Sequence, residues 1–194
     1  MEPDVVASEL ADRAERLRAS LTDRWGEVPH RVREPIRVPQ HDFPETPDDL
    51  FPWVAVCFVS DDGQILLVRD SGHSFPWEPP GGKGEARDAS ESESGERRER
   101  GGDGETVAGT AERETREETG VECEVTDLLF TETLRFDYGA PAFAPVLQAG
   151  FVARRVGGRI RADEEDIVTA AWFPMDELPD GTQFRGNISS LASD

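Results

Sequence analysis

The 194 residues suit a single domain with room for a proper core. Against 21 basic residues stand 41 acidic ones, and the net charge of −20 argues against nucleic-acid polymers and anionic membranes as partners, since both would repel it. Two cysteines without a CxxC exclude a disulfide framework, and the lack of a membrane-length apolar run or a basic-then-apolar leader predicts a soluble, cytoplasmic protein.

Residues 4–25 predict the first helix, with Val6, Leu10, Ala14, Leu17, Leu21 and Trp25 at helical spacing on a charged background. Such a seam needs a partner. The domain's own core is favoured, and a second copy of the chain, as a homodimer, stays open. Prolines 29, 35, 39, 44, 47 and 52 predict an extended arm without regular structure over 26–52, carrying His30 and His41 as surface histidines. Trp53–Val59 is nearly all apolar, as in a strand covered on both faces. Cys57, inside that run, reads as a small buried hydrophobe. Asp61-Asp62-Gly63 signals a hairpin, from which Gln64–Arg69 returns antiparallel. Arg69 fits a phosphate contact and a surface ion pair equally well.

Residues 86–103 hold too little apolar surface to offset the entropy of ordering, which predicts a mobile loop with Asp103 as a cap for the helix that follows. Cys123–Phe136 and Ala144–Val156 read as strands, and Gly157-Gly158 as a turn. Ile167–Phe173 is the last predicted strand, and Pro174–Leu178 the start of a short helix. Strands mixed with one long helix give an α/β or α+β class. The expected organisation is a helix and arm over 1–52, a core domain over 53–180 interrupted at 86–103, and a tail over 181–194.

The chemistry lies in Glu105–Val121, predicted as one helix with Gly120 at its left-handed end. Glu114, Glu117 and Glu118 stand at i, i+3 and i+4, so three carboxylates share one strip of its surface. Their mutual repulsion becomes attraction around a divalent cation such as Mg²⁺, which favours carboxylate oxygens and substrate phosphates. A merely solvated acidic face has the same spacing.

Neighbouring residues separate the two readings. Arg113 precedes Glu114, Glu105 lies eight positions before Arg113, and Trp77-Glu78-Pro79-Pro80-Gly81-Gly82-Lys83-Gly84-Glu85 lies upstream. Together these resemble the Nudix (MutT-type) signature: Gly, five residues, Glu, seven residues, then Arg-Glu-x-x-Glu-Glu-x-Gly and an apolar residue. Thr115 stands where the family usually has an aliphatic residue. The larger departure is the 22 residues between Gly82 and Glu105, which read as a box interrupted by an insertion. Lys83 followed by Gly84 lacks the Ser or Thr of a P-loop, and that reading is rejected.

The resemblance covers about residues 53–180 and implies a mixed sheet sandwiched between helices. It further implies a pyrophosphohydrolase acting on a nucleoside diphosphate linked to another group: a nucleotide sugar, a dinucleoside polyphosphate or a modified nucleotide. In that family pattern Glu114, Glu117 and Glu118 hold Mg²⁺ or Mn²⁺ with a main-chain carbonyl of the Gly81-Gly82 turn. Glu105 and Arg113 orient the carboxylates, and the general base comes from the helix or a later loop, where Glu164 and Glu165 are the candidates. Tyr138, the single tyrosine, lies near where dinucleoside-polyphosphate members often carry one, and with Phe143 and Trp172 it is a candidate to stack on a base. A ligand-sensing module without turnover and a scaffolding or dimerisation protein remain the alternatives. An acid-rich chain with 20 arginines and one lysine also resembles a halophile protein in composition.

Overall fold

The computed structural model describes residues 2–38, 41–70, 75–85, 105–161 and 167–192. In chain order the elements are α1 (Pro3–Trp25), β1 (His30–Val32), β2 (Ile36–Arg37), β3 (Trp53–Asp61), β4 (Gln64–Asp70), β5 (Gly81–Lys83), α2 (Val107–Thr119), β6 (Val121–Asp137), β7 (Ala144–Gly158), β8 (Ile167–Pro174) and α3 (Arg185–Leu191). A 3₁₀ turn occupies Pro47–Asp49.

The strands form one mixed sheet in the order β1-β6-β7-β3-β4-β8, with β2 also on β6 and β5 on β3. β1 and β2 run parallel to β6, and β3 parallel to β7; the other pairs are antiparallel. Both faces of β3 are covered. Ala55, Cys57 and Val59 pack with Leu147, Ala149 and Phe151 beneath α1 and α2, while Val56 and Phe58 pack with Ile65, Leu67 and Ile188 of α3 on the other side. This explains the nearly unbroken apolar run, and it gives the expected α/β sandwich around a mixed sheet.

The seam of α1 is taken up by the protein's own sheet. Val6, Leu10, Ala14 and Leu21 are buried. Ala14 and Leu21 pack with Phe151, and Val6 and Leu10 with Leu50, Ala144 and Val146. Arg13 fastens the helix to the arm through the carbonyls of Pro47, Leu50 and Phe51 at 2.9 to 3.1 Å.

Three expectations change. The arm contains regular structure, because β1 and β2 add short parallel pairings to the outer edge of β6. Charge locks β1 there: the carboxylate of Glu132, 1% exposed, is bound by both Arg31 and Arg33. Pro174–Leu178 forms a turn, not a helix, since Pro179 follows at once and leaves no room for two helical turns. The helix comes later as α3, inside the segment expected to be a tail. α2 starts at Val107 and is capped by Thr106, whose hydroxyl accepts from the Gly109 N–H at 3.0 Å. Asp103 and the segment 86–103 lie outside the described residues.

Candidate active site

β5 and α2 build the site by pressing against each other. Gly81 and Gly82 pair with Val56 and Ala55 of β3. A Cβ on Gly82 would sit 2.2 Å from Cδ of Glu114, so only glycine lets that carboxyl rest on the main chain. The indole N–H of Trp53 donates to Thr110 at 2.8 Å and fixes α2 above β3. The helix ends at Gly120, left-handed at φ 72°, as its sequence predicted.

Arg113 is the hub. Its Nε donates to Glu105 at 2.6 Å and its Nη1 to Glu117 at 2.7 Å. Its Nη2 lies 2.9 Å from Glu114 and donates to the carbonyl of Lys83 at 3.2 Å. The second oxygen of Glu105 accepts the Glu85 N–H at 3.0 Å. Glu118, 8% exposed, accepts the Gly81 N–H at 3.1 Å. Arg113 and the five-residue span Gly81–Glu85 thus join both sides of the interrupted motif. Burial alone would push the Glu105 carboxyl up, but hydrogen bonds from Arg113 and Glu85 and the guanidinium charge outweigh it and hold it below its usual value. The Arg113 guanidinium is pushed up, chiefly by its hydrogen bond to Glu105.

Glu114, Glu117 and Glu118 are therefore neighbours on one helix face, held by partners of their own. Among the described residues no three His, Cys, Asp or Glu side chains converge as an ion-holding group. The donor set is nonetheless all oxygen: three carboxylates beside a main-chain turn. That chemistry fits a hard divalent cation.

Beside Glu118 and the Gly81-Gly82 strand opens a cleft of about 550 Å³. Its polar lining includes Glu78, Lys83 and Glu118, and its apolar lining Phe51, Leu134, Phe136 and Tyr138. Tyr138 packs edge-on against Phe43, and burial pushes its hydroxyl up. The arm contributes Ile36, Val38 and His41, so His41 borders the cleft although it is exposed. Arg69 is exposed on β4 and is not among the lining residues, nor are Phe143 and Trp172. Glu164 and Glu165 lie outside the described residues. Sequence reasoning missed Phe51, Phe136, Glu78 and Gln148 as cleft residues. Two carried a signal: Glu78 lies within the quoted turn motif, and Gln148 is a lone polar residue in the apolar run Val146–Val152.

The fold and site define a class. A family model described as the NUDIX domain matches residues 50–191, and the chain belongs to that family. Human 8-oxo-dGDP phosphatase NUDT18 is 27% identical over 131 residues, which are 65% of this chain and 33% of that protein. The match thus spans a third of that relative's length. A Nudix hydrolase from Nitrosomonas europaea superposes with a TM-score of 0.50 at 19% identity, covering 72% of this chain and 66% of its own. For an ADP-ribose pyrophosphatase from Streptococcus suis the values are 0.46, 15%, 73% and 89%. At 19% identity the likeness to the Nitrosomonas europaea structure speaks for the fold alone.

Proposed function

We propose that this Nudix hydrolase cleaves a diphosphate linkage in a nucleoside diphosphate joined to another group, using Mg²⁺ or Mn²⁺ held by Glu114, Glu117 and Glu118. The observation that carries the reading is Arg113, which ties Glu105, Glu114, Glu117 and the Lys83 carbonyl into one unit. A solvated acidic face has no need of such a hub. Glu105 and Arg113 orient the carboxylates, because each polar end of the guanidinium is committed to a different partner. Glu118, buried beneath the turn and accepting the Gly81 N–H, fixes the distance between helix and strand. When bound, the cation neutralises diphosphate charge and acidifies the attacking water. The apolar end of the cleft shelters the remainder of the substrate from solvent. Glu164 and Glu165 remain our loop candidates for the general base.

The name of the human relative adds an oxidised nucleoside diphosphate to the substrates worth testing. The acidic, lysine-poor composition supports a place in a salt-rich cytoplasm. A screen of ADP-ribose, dinucleoside polyphosphates, NADH and 8-oxo-dGDP tests the proposal, run with Mg²⁺ or Mn²⁺ and again with EDTA. Phosphate-bond cleavage of one substrate class, abolished by EDTA, is the expected result. Turnover that survives EDTA, or none with any diphosphate, contradicts it.

A further inference from the structure

The arm carries Ile36 and Val38 into the lining of the cleft, yet its strands bury nothing of their own. Every residue of β1 and β2 is exposed, Val32 at 58% and Ile36 at 39%. Pairings this short, with no buried face, leave the register on β6 weakly specified, because a slip of one residue forfeits no apolar burial. The cleft nevertheless depends on that register. Ile36 pairs with Phe136, itself a lining residue, and Val38 stands two positions on, so both side chains leave the same side of the arm. A slip of one residue would turn both of them away.

Glu132 supplies what the apolar pattern lacks. It is the register partner of Arg31, and its carboxylate is 1% exposed. Arg31 Nε donates to one oxygen at 2.5 Å and Arg33 Nη1 to the other at 3.1 Å. The two arginines stand two positions apart and so leave one side of the arm, which means that a single register gives both oxygens a cation. A slip would bring His30 or Val32 to that place and strand a buried carboxylate. Main-chain bonds then follow the register that the charges set. The Arg33 N–H donates to Thr133 at 2.9 Å and the Val38 N–H to Asp137 at 2.8 Å, while Arg135 Nε donates to the Arg33 carbonyl at 3.0 Å. Buried ion pairs are poor sources of stability, and fixing a register is their better attested use.

We propose that Glu132 is a positioning residue for substrate binding: through Arg31 and Arg33 it fixes the register of the arm, and so the cleft wall that meets the substrate beyond its diphosphate. The inference rests on the proposed function and deepens it. Glu132→Gln tests it, since Arg31 and Arg33, 59% and 35% exposed, can turn into solvent and leave no buried cation behind. Amide exchange at Arg33 and Val38 should quicken while that of α2 stays as in the parent. For the best of ADP-ribose, a dinucleoside polyphosphate, NADH and 8-oxo-dGDP, KM should rise about tenfold with kcat held, as for a contact made equally in ground and transition states. The inhibition constant of inorganic pyrophosphate, which needs only the carboxylates and the turn, should not move. Val38→Ala should raise KM in the parent and add nothing in the Glu132→Gln background, because both act through one wall. If Glu132→Gln does not melt cooperatively, Arg33→Gln supplies the comparison, and Arg33→Lys should stay near the parent KM. A fall in kcat at constant KM, a pyrophosphate constant that rises in step with KM, or faster arm exchange with KM unchanged overturns the proposal. Calorimetric titration of the same ligands replaces KM where no turnover is seen, and binding of none of them overturns both readings. Binding that the substitution weakens, without hydrolysis, sinks the function and leaves the clamp standing. Hydrolysis indifferent to the substitution does the reverse.

Discussion

Gly82 does its work by having no side chain. An added Cβ would meet Cδ of Glu114 at 2.2 Å and its oxygens at 2.4 and 2.6 Å. Those atoms end a flexible side chain, so Glu114 can swing away at little cost to the fold. Gly82→Ala should therefore melt within a few degrees of the parent while turnover falls by about tenfold or more, because a displaced carboxylate no longer stabilises developing charge. Gly84→Ala makes the contrast. Its Cβ would strike the rigid Trp53 ring at 2.3 Å, so that variant should lose stability as well. Thermal melts and steady-state kinetics on the pair check both. A Gly82→Ala enzyme with full activity would dissociate the glycine from the site.

Among the elements, α2 was the most legible, since one helix carries all three carboxylates and Arg113, and helical period alone brings them to one face. The cleft was not. Phe51 lies far along the chain from Phe136 and Gln148, and only the order of the strands brings it to the same cleft. β1 and β2 escaped notice for a related reason: they pair with β6 about a hundred residues on, and Arg31 and Arg33 bind a buried carboxylate of that strand, long-range contacts invisible in a proline-rich stretch. The break in the motif is bridged where it matters, as the Glu85 N–H reaches Glu105 at 3.0 Å. Each doubling of a loop's length costs only about 0.6 kcal/mol, so a long connection between two such ends is tolerated. We therefore expect that replacing residues 86–103 with one proline leaves turnover within a few-fold and the melting temperature equal or higher. A large loss of kcat with stability unchanged would assign the segment a part in catalysis.

For the whole molecule, charge sets the conditions of the experiment. With 41 acidic against 21 basic residues, self-repulsion opposes folding in dilute buffer. The Debye length shrinks from about 10 Å at 0.1 M salt to about 3 Å at 1 M. The melting temperature should accordingly climb with KCl between ~0.1 M and ~2 M, and a flat or falling trend would count against a salt-adapted protein. Stability and chemistry are separable here, because the core clusters beneath α1, α2 and α3 do not depend on the carboxylates at the turn. The most direct measurement is therefore cation-dependent turnover of the best diphosphate substrate by the wild-type chain, Glu117→Gln and Glu118→Gln, at matched salt and with folding verified by melting. The account predicts that each substitution lowers kcat by about two orders of magnitude or more with the fold intact. Undiminished, cation-dependent turnover in both variants would contradict it.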